Sequence, residues 1–212
     1  MSRLVTLFGG GGFLGRYVAQ ELLKAGARVR VAERDPSDAW FLKPLGSLGQ
    51  TQFVPASVTK PATVAAAVAG ADSVINLVGI LKGDFDSVHR KGLPMSPPRR
   101  RRRRRSLVHV SAIGADPESP SAYGRSKGQG EAAVRTAFPD ATIIRPSIVF
   151  GAEDGFLNRF AAMQSAPFVP VLRGAVKFQP VWVADVARAI AAAALDPAPM
   201  PARPMSSAGQ RS

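Results

Sequence analysis

The run Leu4-Val5-Thr6-Leu7-Phe8, followed at once by Gly9-Gly10-Gly11-Gly12-Phe13-Leu14-Gly15, constrains this chain more than any other feature. A short apolar run of this kind reads as a buried parallel strand. Gly9, Gly12 and Gly15 are spaced G-x-x-G-x-x-G, and an amphipathic helix is expected over residues 14–25, with Val18, Leu22 and Ala25 on one stripe and Gly26 as its stop. Residues 28–32 read as a second strand, which makes the opening a βαβ unit with a right-handed crossover.

A turn without side chains lets backbone N–H groups approach a pyrophosphate, and the helix behind it aims its positive end at the same charge. Such spacing is weak alone, but the flanking strand, helix and second strand make it read as a dinucleotide cradle. At the end of the second strand, Glu33 and Arg34 point in opposite chemical directions. An acid suits the ribose 2′-hydroxyl of NAD, a guanidinium the 2′-phosphate of NADP. Arg34 tips the reading towards NADP(H), with NAD(H) left open.

The alternation continues along the chain. Strands are expected at 51–55, 73–78, 107–111 and 141–145, and helices at 61–69, 126–138, 156–164 and 183–195. This order implies an α/β fold, a doubly wound parallel sheet of the Rossmann kind. No internal repeat is visible.

A second constellation lies downstream. Ser111 ends a strand, and Tyr123-Gly124-Arg125-Ser126-Lys127 places Tyr and Lys one helical turn apart on the same face. A phenol that titrates near pH 10 needs a nearby cation to work as an acid or base at neutral pH, a task that falls to Lys127, while Ser111 can hydrogen-bond a substrate oxygen. Ser111, Tyr123 and Lys127 are therefore the candidate catalytic residues.

With Arg145-Pro146-Ser147, these motifs resemble the extended or atypical short-chain dehydrogenase/reductase superfamily over about residues 1–195. A narrower resemblance is to the nucleotide-binding accessory subunit family of respiratory complex I and its bacterial relatives. Tyr123 to Lys127, Ala137-Phe138-Pro139, Val183-Ala184-Asp185-Val186-Ala187 and the block from Phe150-Gly151-Ala152-Glu153-Asp154-Gly155 to Ala161 carry it. The resemblance implies NADP(H) or NAD(H) held largely for structure, and peripheral docking on a membrane-associated redox complex or quinone pathway. It places Gly9, Gly12, Phe13, Leu14, Gly15, Arg34, Ser57, Asn76, Val78, Gly79 and Pro146 at the dinucleotide, and Ser111, Tyr123 and Lys127 at the nicotinamide. Where many relatives set an Asp beside the adenine, this chain has Ala56-Ser57-Val58, and Ser57 is the weaker substitute.

Composition narrows the function classes. The chain has no cysteine and only His89 and His109, so disulfides, thiolate metal sites and a His-based zinc site drop out. The first strand begins almost at Met1, leaving no room for a leader, so a cytoplasmic location is expected. No stretch approaches the roughly 20 apolar residues of a bilayer span, which limits membrane contact to a peripheral one on the inner face.

The net charge of +13 suggests nucleic acid or anionic lipid as a partner, but seven arginines form one run at residues 99–105. No aromatic residues interleave with them to stack bases, which weighs against nucleic acid. Setting aside those seven, Arg203 and Arg211, the charge falls to +4.

Two segments break the pattern: 93–106, dominated by Pro and Arg, and 200–212, rich in Pro, Ser and Ala. Pro94, Pro97 and Pro98 forbid a regular helix where the superfamily has one. With suitable third bases, a one-base step turns residues 93–99 into Ala-Ala-Asn-Val-Ala-Ala-Ala, a helix, and turns 200–212 into a stretch containing Thr-Tyr-Glu-Leu, a strand. Both segments are read as frame errors in the gene or its sequencing. The domain expectation is thus one NAD(P)-binding domain over 1–195 with an irregular insert at 93–106, a disordered tail over 196–212, and a truncated C-terminal substrate region.

Two functions are expected to compete: an accessory NAD(P)-binding protein of a respiratory system, or an active NAD(P)-dependent reductase, dehydrogenase or epimerase using Ser111, Tyr123 and Lys127.

Overall fold

The structure, a computed structural model, describes residues 2–79, 106–163 and 177–196, together with the backbone of 205–207. The expectations for residues 93–105, for His89 and for most of the tail lie outside the described residues.

Strand β1 (Leu4–Phe8) has Val5, Leu7 and Phe8 almost wholly excluded from solvent, as an apolar strand in the middle of a sheet must be. It pairs in parallel with β2 (Arg28–Glu33) on one side and β4 (Ser73–Asn76) on the other. β3 (Thr51–Pro55) lies outside β2, and β5 (Ser106–Val110) and β6 (Thr142–Pro146) extend the sheet beyond β4. The order is thus β3-β2-β1-β4-β5-β6, all parallel, with a last strand beyond β6. This is the doubly wound arrangement the alternation implies. Its direction of winding reverses between β1 and β4, so the carboxyl ends of these two strands open the crevice where such sheets bind ligands.

Helices cover both faces. On one, α1 (Phe13–Lys24) and α5 (Val183–Leu195) pack Val18, Leu22, Val186 and Ile190 against Val5, Leu7 and Ile75. On the other, α2 (Pro61–Val68) and α3 (Ala122–Ala137) pack Val64, Ala67 and Val134 against Phe8, Ala32, Val74 and Leu107. Each fully buried aliphatic side chain contributes about 1.5–3 kcal/mol, so both layers are needed to hold the sheet.

Three local outcomes differ from the sequence expectation. α3 starts at Ala122, not 126, because Ser121 caps it by accepting the Gly124 N–H at 3.4 Å. β4 ends at Asn76, not 78, because the Asn76 side chain bends the chain by accepting the Val78 N–H at 3.0 Å. A 3-10 helix, Pro36–Leu45, was not anticipated. Its cue was Asp35-Pro36-Ser37, where Asp35 accepts the Ser37 N–H at 2.9 Å and proline sits at the first helical position.

The short strands β7 (Val149–Phe150) and β8 (Val181–Trp182) pair in parallel and were also missed. Helix α4 (Leu157–Met163) lies between them in sequence. Within the tail expected to be disordered, Met205–Ser207 form a further strand, β9, beside Ile144 to Pro146 of β6. An edge strand is held by backbone bonds, which a Ser- and Pro-rich composition does not advertise.

Candidate functional site

The site is built at the carboxyl ends of β1, β4 and β5. Gly9 leaves β1 with φ of +83°, a left-handed conformation that only glycine adopts without strain. Three residues on, the Gly12 N–H donates back to the Gly9 carbonyl at 3.3 Å and closes the turn. At Gly15, a Cβ would fall 2.1 Å from the Gly9 carbonyl oxygen and 2.7 Å from the Gly10 Cα. That contact is impossible, so glycine at 15 is a condition for the loop lying flat on α1.

Helix α1 starts at Phe13 with Gly12 as its N-cap, no side-chain cap and no acid in its first turn. The first N–H groups of the helix, at Phe13, Leu14 and Gly15, therefore have no side-chain acceptor from the cap, and the positive end of the helix dipole is not neutralised locally. This is the cradle a pyrophosphate fits, and it is the structural test that the dinucleotide expectation passes.

Glu33, at the end of β2, accepts the Gly11 N–H at 2.7 Å. Burial pushes its carboxyl above the ordinary glutamate range, while the Gly11 bond pulls the other way. In the sequence Glu33 reads as a ribose ligand or part of a solvated strand end, and its bond to the glycine loop is not legible there. Arg34, next to it, is exposed.

The turn after β4, which holds Asn76, Val78 and Gly79, begins beside the glycine loop. Val78 N lies 3.3 Å from the position of a Cβ on Gly9, and the Leu77 N–H donates to the Phe8 carbonyl at 3.0 Å. Ser57, expected near the adenine, is half-buried after β3, and its hydroxyl bonds to Thr59 Oγ1 at 2.9 Å. Pro146 ends β6, and its carbonyl accepts the Ile113 N–H at 3.0 Å, which fixes the loop after β5.

Ser111 follows β5, is 5% exposed, and its Oγ has no hydrogen-bond partner among the described residues. Buried hydroxyls are rarely left so. Lys127 of α3 is buried, and its Nζ donates to the carbonyl of Val110, the neighbour of Ser111, at 3.0 Å. α3 also packs tightly on the loop after β5, where a Cβ at Gly128 would sit 2.3 Å from the backbone of Asp116 and Pro117.

Burial pulls the Lys127 ammonium down from 10.5 to about 8, with Glu131 acting in the opposite direction. The Tyr123 phenol is pushed above its ordinary value by burial. The Lys127 ammonium is turned towards the Val110 carbonyl and feels Glu131, and both groups are shifted by burial towards their neutral forms.

Two clasps, one buried at Glu131 and one exposed at Glu153, are not legible from the sequence. Glu131 of α3, 5% exposed at its side chain, takes a two-pronged bond from Arg145 of β6, at 2.8 and 2.6 Å. Glu153, after β7, joins Arg16 at 2.8 Å and Tyr17 at 2.7 Å on α1, which seats the block from Phe150 onwards beside the glycine loop.

A family model described as NAD(P)H-binding matches residues 9–197. The chain is 38% identical to the rat (Rattus norvegicus) protein named NADH dehydrogenase [ubiquinone] 1 alpha subcomplex subunit 9, mitochondrial, covering 92% of this chain and 54% of that one. It is 31% identical to the NADH-ubiquinone oxidoreductase 40 kDa subunit of Neurospora crassa over 87% of this chain and 50% of the relative, and 30% identical to a ceramide reductase of Caulobacter vibrioides over 89% and 60%. The chain spans about half the length of the mitochondrial relatives it matches. Among solved structures it is similar to vestitone reductase from alfalfa, with a TM-score of 0.69 at 19% identity, covering 92% of this chain and 74% of that one.

Proposed function

Because this chain belongs to the NAD(P)H-binding family, we propose that it holds its nicotinamide dinucleotide chiefly as a structural group, as an accessory protein of a complex I-type or quinone-linked respiratory system. The glycine loop carries the binding part of this reading: its shape excludes a Cβ at Gly15, and the end of α1 offers uncapped N–H groups. Gly9, Gly12, Phe13, Leu14 and Gly15 would hold the pyrophosphate, Arg34 or Glu33 the adenosine ribose, and Asn76, Val78, Gly79 and Pro146 the remaining walls. When bound, the dinucleotide supplies a hydride donor or acceptor facing Ser111, Tyr123 and Lys127.

The structural role is supported by the way Lys127 is used. Its ammonium bonds a backbone carbonyl at the end of β5, and Tyr123 is shifted away from the phenolate. The names of the mitochondrial relatives support the respiratory setting. Exposed Phe156, Phe160, Phe178 and Trp182 give the molecule an apolar face suited to protein association. Among the described residues no helix is long and apolar enough to cross a membrane. Co-purification of the tagged chain with a complex I-type assembly from membrane fractions is the expected result, and its consistent absence from those fractions contradicts the accessory reading.

A second reading, an active reductase, is favoured by the unpartnered Ser111 Oγ. Ser111 would then hold a substrate carbonyl oxygen, Tyr123 would deliver the proton, and Lys127 would serve as the cation that assists it. Under it, Tyr123→Phe abolishes turnover of a carbonyl substrate while dinucleotide affinity stays unchanged. Under the structural reading, wild type and variant are equally inactive.

A further inference from the structure

We propose that His109 is a positioning residue for the dinucleotide cradle, acting through the Asn76 side chain on the turn that leaves β4; this rests on the cofactor reading above. Asn76 and His109 are direct partners on adjacent parallel strands and are only 3% and 4% exposed. An amide and an imidazole in the middle of a sheet cost stability through lost hydration, unless their polar atoms are bonded in a definite way.

The bonds here have a direction. Asn76 Oδ1 accepts the Val78 N–H at 3.0 Å. Its Nδ2 is thereby turned to His109 Nδ1, 3.1 Å away, and donates to it, so Nδ1 is the ring nitrogen that carries the lone pair. Val78 N in turn lies against Gly9, 3.3 Å from where a Cβ on that residue would stand. Imidazole, amide, turn and glycine loop therefore form one chain of contacts from β5 across β4 to the start of the cradle.

The role of His109 follows from what its loss would permit. With an apolar residue at 109, Nδ2 would be buried without that acceptor. The amide could then rotate and present Nδ2 to the Val78 N–H, donor against donor, and the turn would lose the bond that shapes it. The fixed wall opposite the pyrophosphate would become adjustable, and ordering it again would be charged to dinucleotide binding.

The test is a titration of the full-length chain with NADH and with NADPH, read by nucleotide fluorescence. His109→Leu is expected to weaken affinity about tenfold, the scale of one lost buried hydrogen bond. His109→Asn, whose amide oxygen can stand where Nδ1 stands, is expected to stay within about twofold of wild type, since the bond is kept. Asn76→Ala should weaken binding as His109→Leu does, and the double variant should be no weaker than Asn76→Ala alone, as for two residues acting through one contact. Full affinity in His109→Leu, or losses that add in the double variant, overturn the role of His109 and leave the cofactor reading standing. If His109→Leu does not fold, unchanged affinity in Asn76→Ala overturns the role equally. Wild-type protein that takes up neither nucleotide overturns the cofactor reading and this inference together.

Discussion

Gly15 is hemmed in by the backbone of its own loop, and Lys127 is an ammonium group buried against β5. Alanine at 15 would place a methyl carbon 2.1 Å from the Gly9 carbonyl, and backbone rather than a flexible side chain would have to yield. Gly15→Ala is expected to cost about 3 kcal/mol, the upper range for overpacking, and to remove dinucleotide binding. Urea unfolding and nucleotide titration of the same variant check the two effects. Lys127 makes a pH prediction with a definite sign. Its folded-state value of about 8 lies below the ordinary 10.5, so between those values the unfolded chain holds a proton that the folded chain has released. Stability then rises with pH across that window. The rise should be present in wild type and missing from Lys127→Met, as measured by denaturant midpoints at matched pH.

Among the elements, α3 brings Lys127 to the end of β5, where its Nζ donates to the Val110 carbonyl. It is fixed at its start by the Asp116 N–H donating to the Gly124 carbonyl at 3.2 Å, and further along by Glu131 gripping Arg145. Glu131→Gln leaves the guanidinium with a weaker acceptor and is expected to cost about 1–3 kcal/mol, with chemical denaturation as the measure. The sequence predicted β1, α1, β2, β3 and α5 within a residue or so, because their apolar periodicity and glycine stops are local signals. Tyr123 and Lys127 fall on one helix, α3, as their spacing implies, and Ser111 directly follows β5. The sequence did not predict how Lys127 is turned, the Glu131–Arg145 clasp or the bond from Gly11 to Glu33. Each joins residues far apart in the chain, and no spacing rule encodes such a partner.

For the whole molecule, β4 pairs in parallel with β5, Ser73 opposite Ser106, and parallel neighbours need a crossover connection. Such crossovers are usually helical, and the composition at 93–105 opposes a helix. The frame-error reading makes a direct prediction: replacing residues 93–99 by Ala-Ala-Asn-Val-Ala-Ala-Ala should raise the melting temperature, and an unchanged or lower value counts against it. An intact mass that matches the Arg-rich chain from the native source overturns the reading outright. The central claim concerns the molecule as a dinucleotide carrier, and native mass spectrometry of the purified chain tests it most directly. The account predicts a species carrying one NADP(H) or NAD(H), released on denaturation and missing from Gly15→Ala. A wild-type chain that neither carries nor takes up either nucleotide contradicts it.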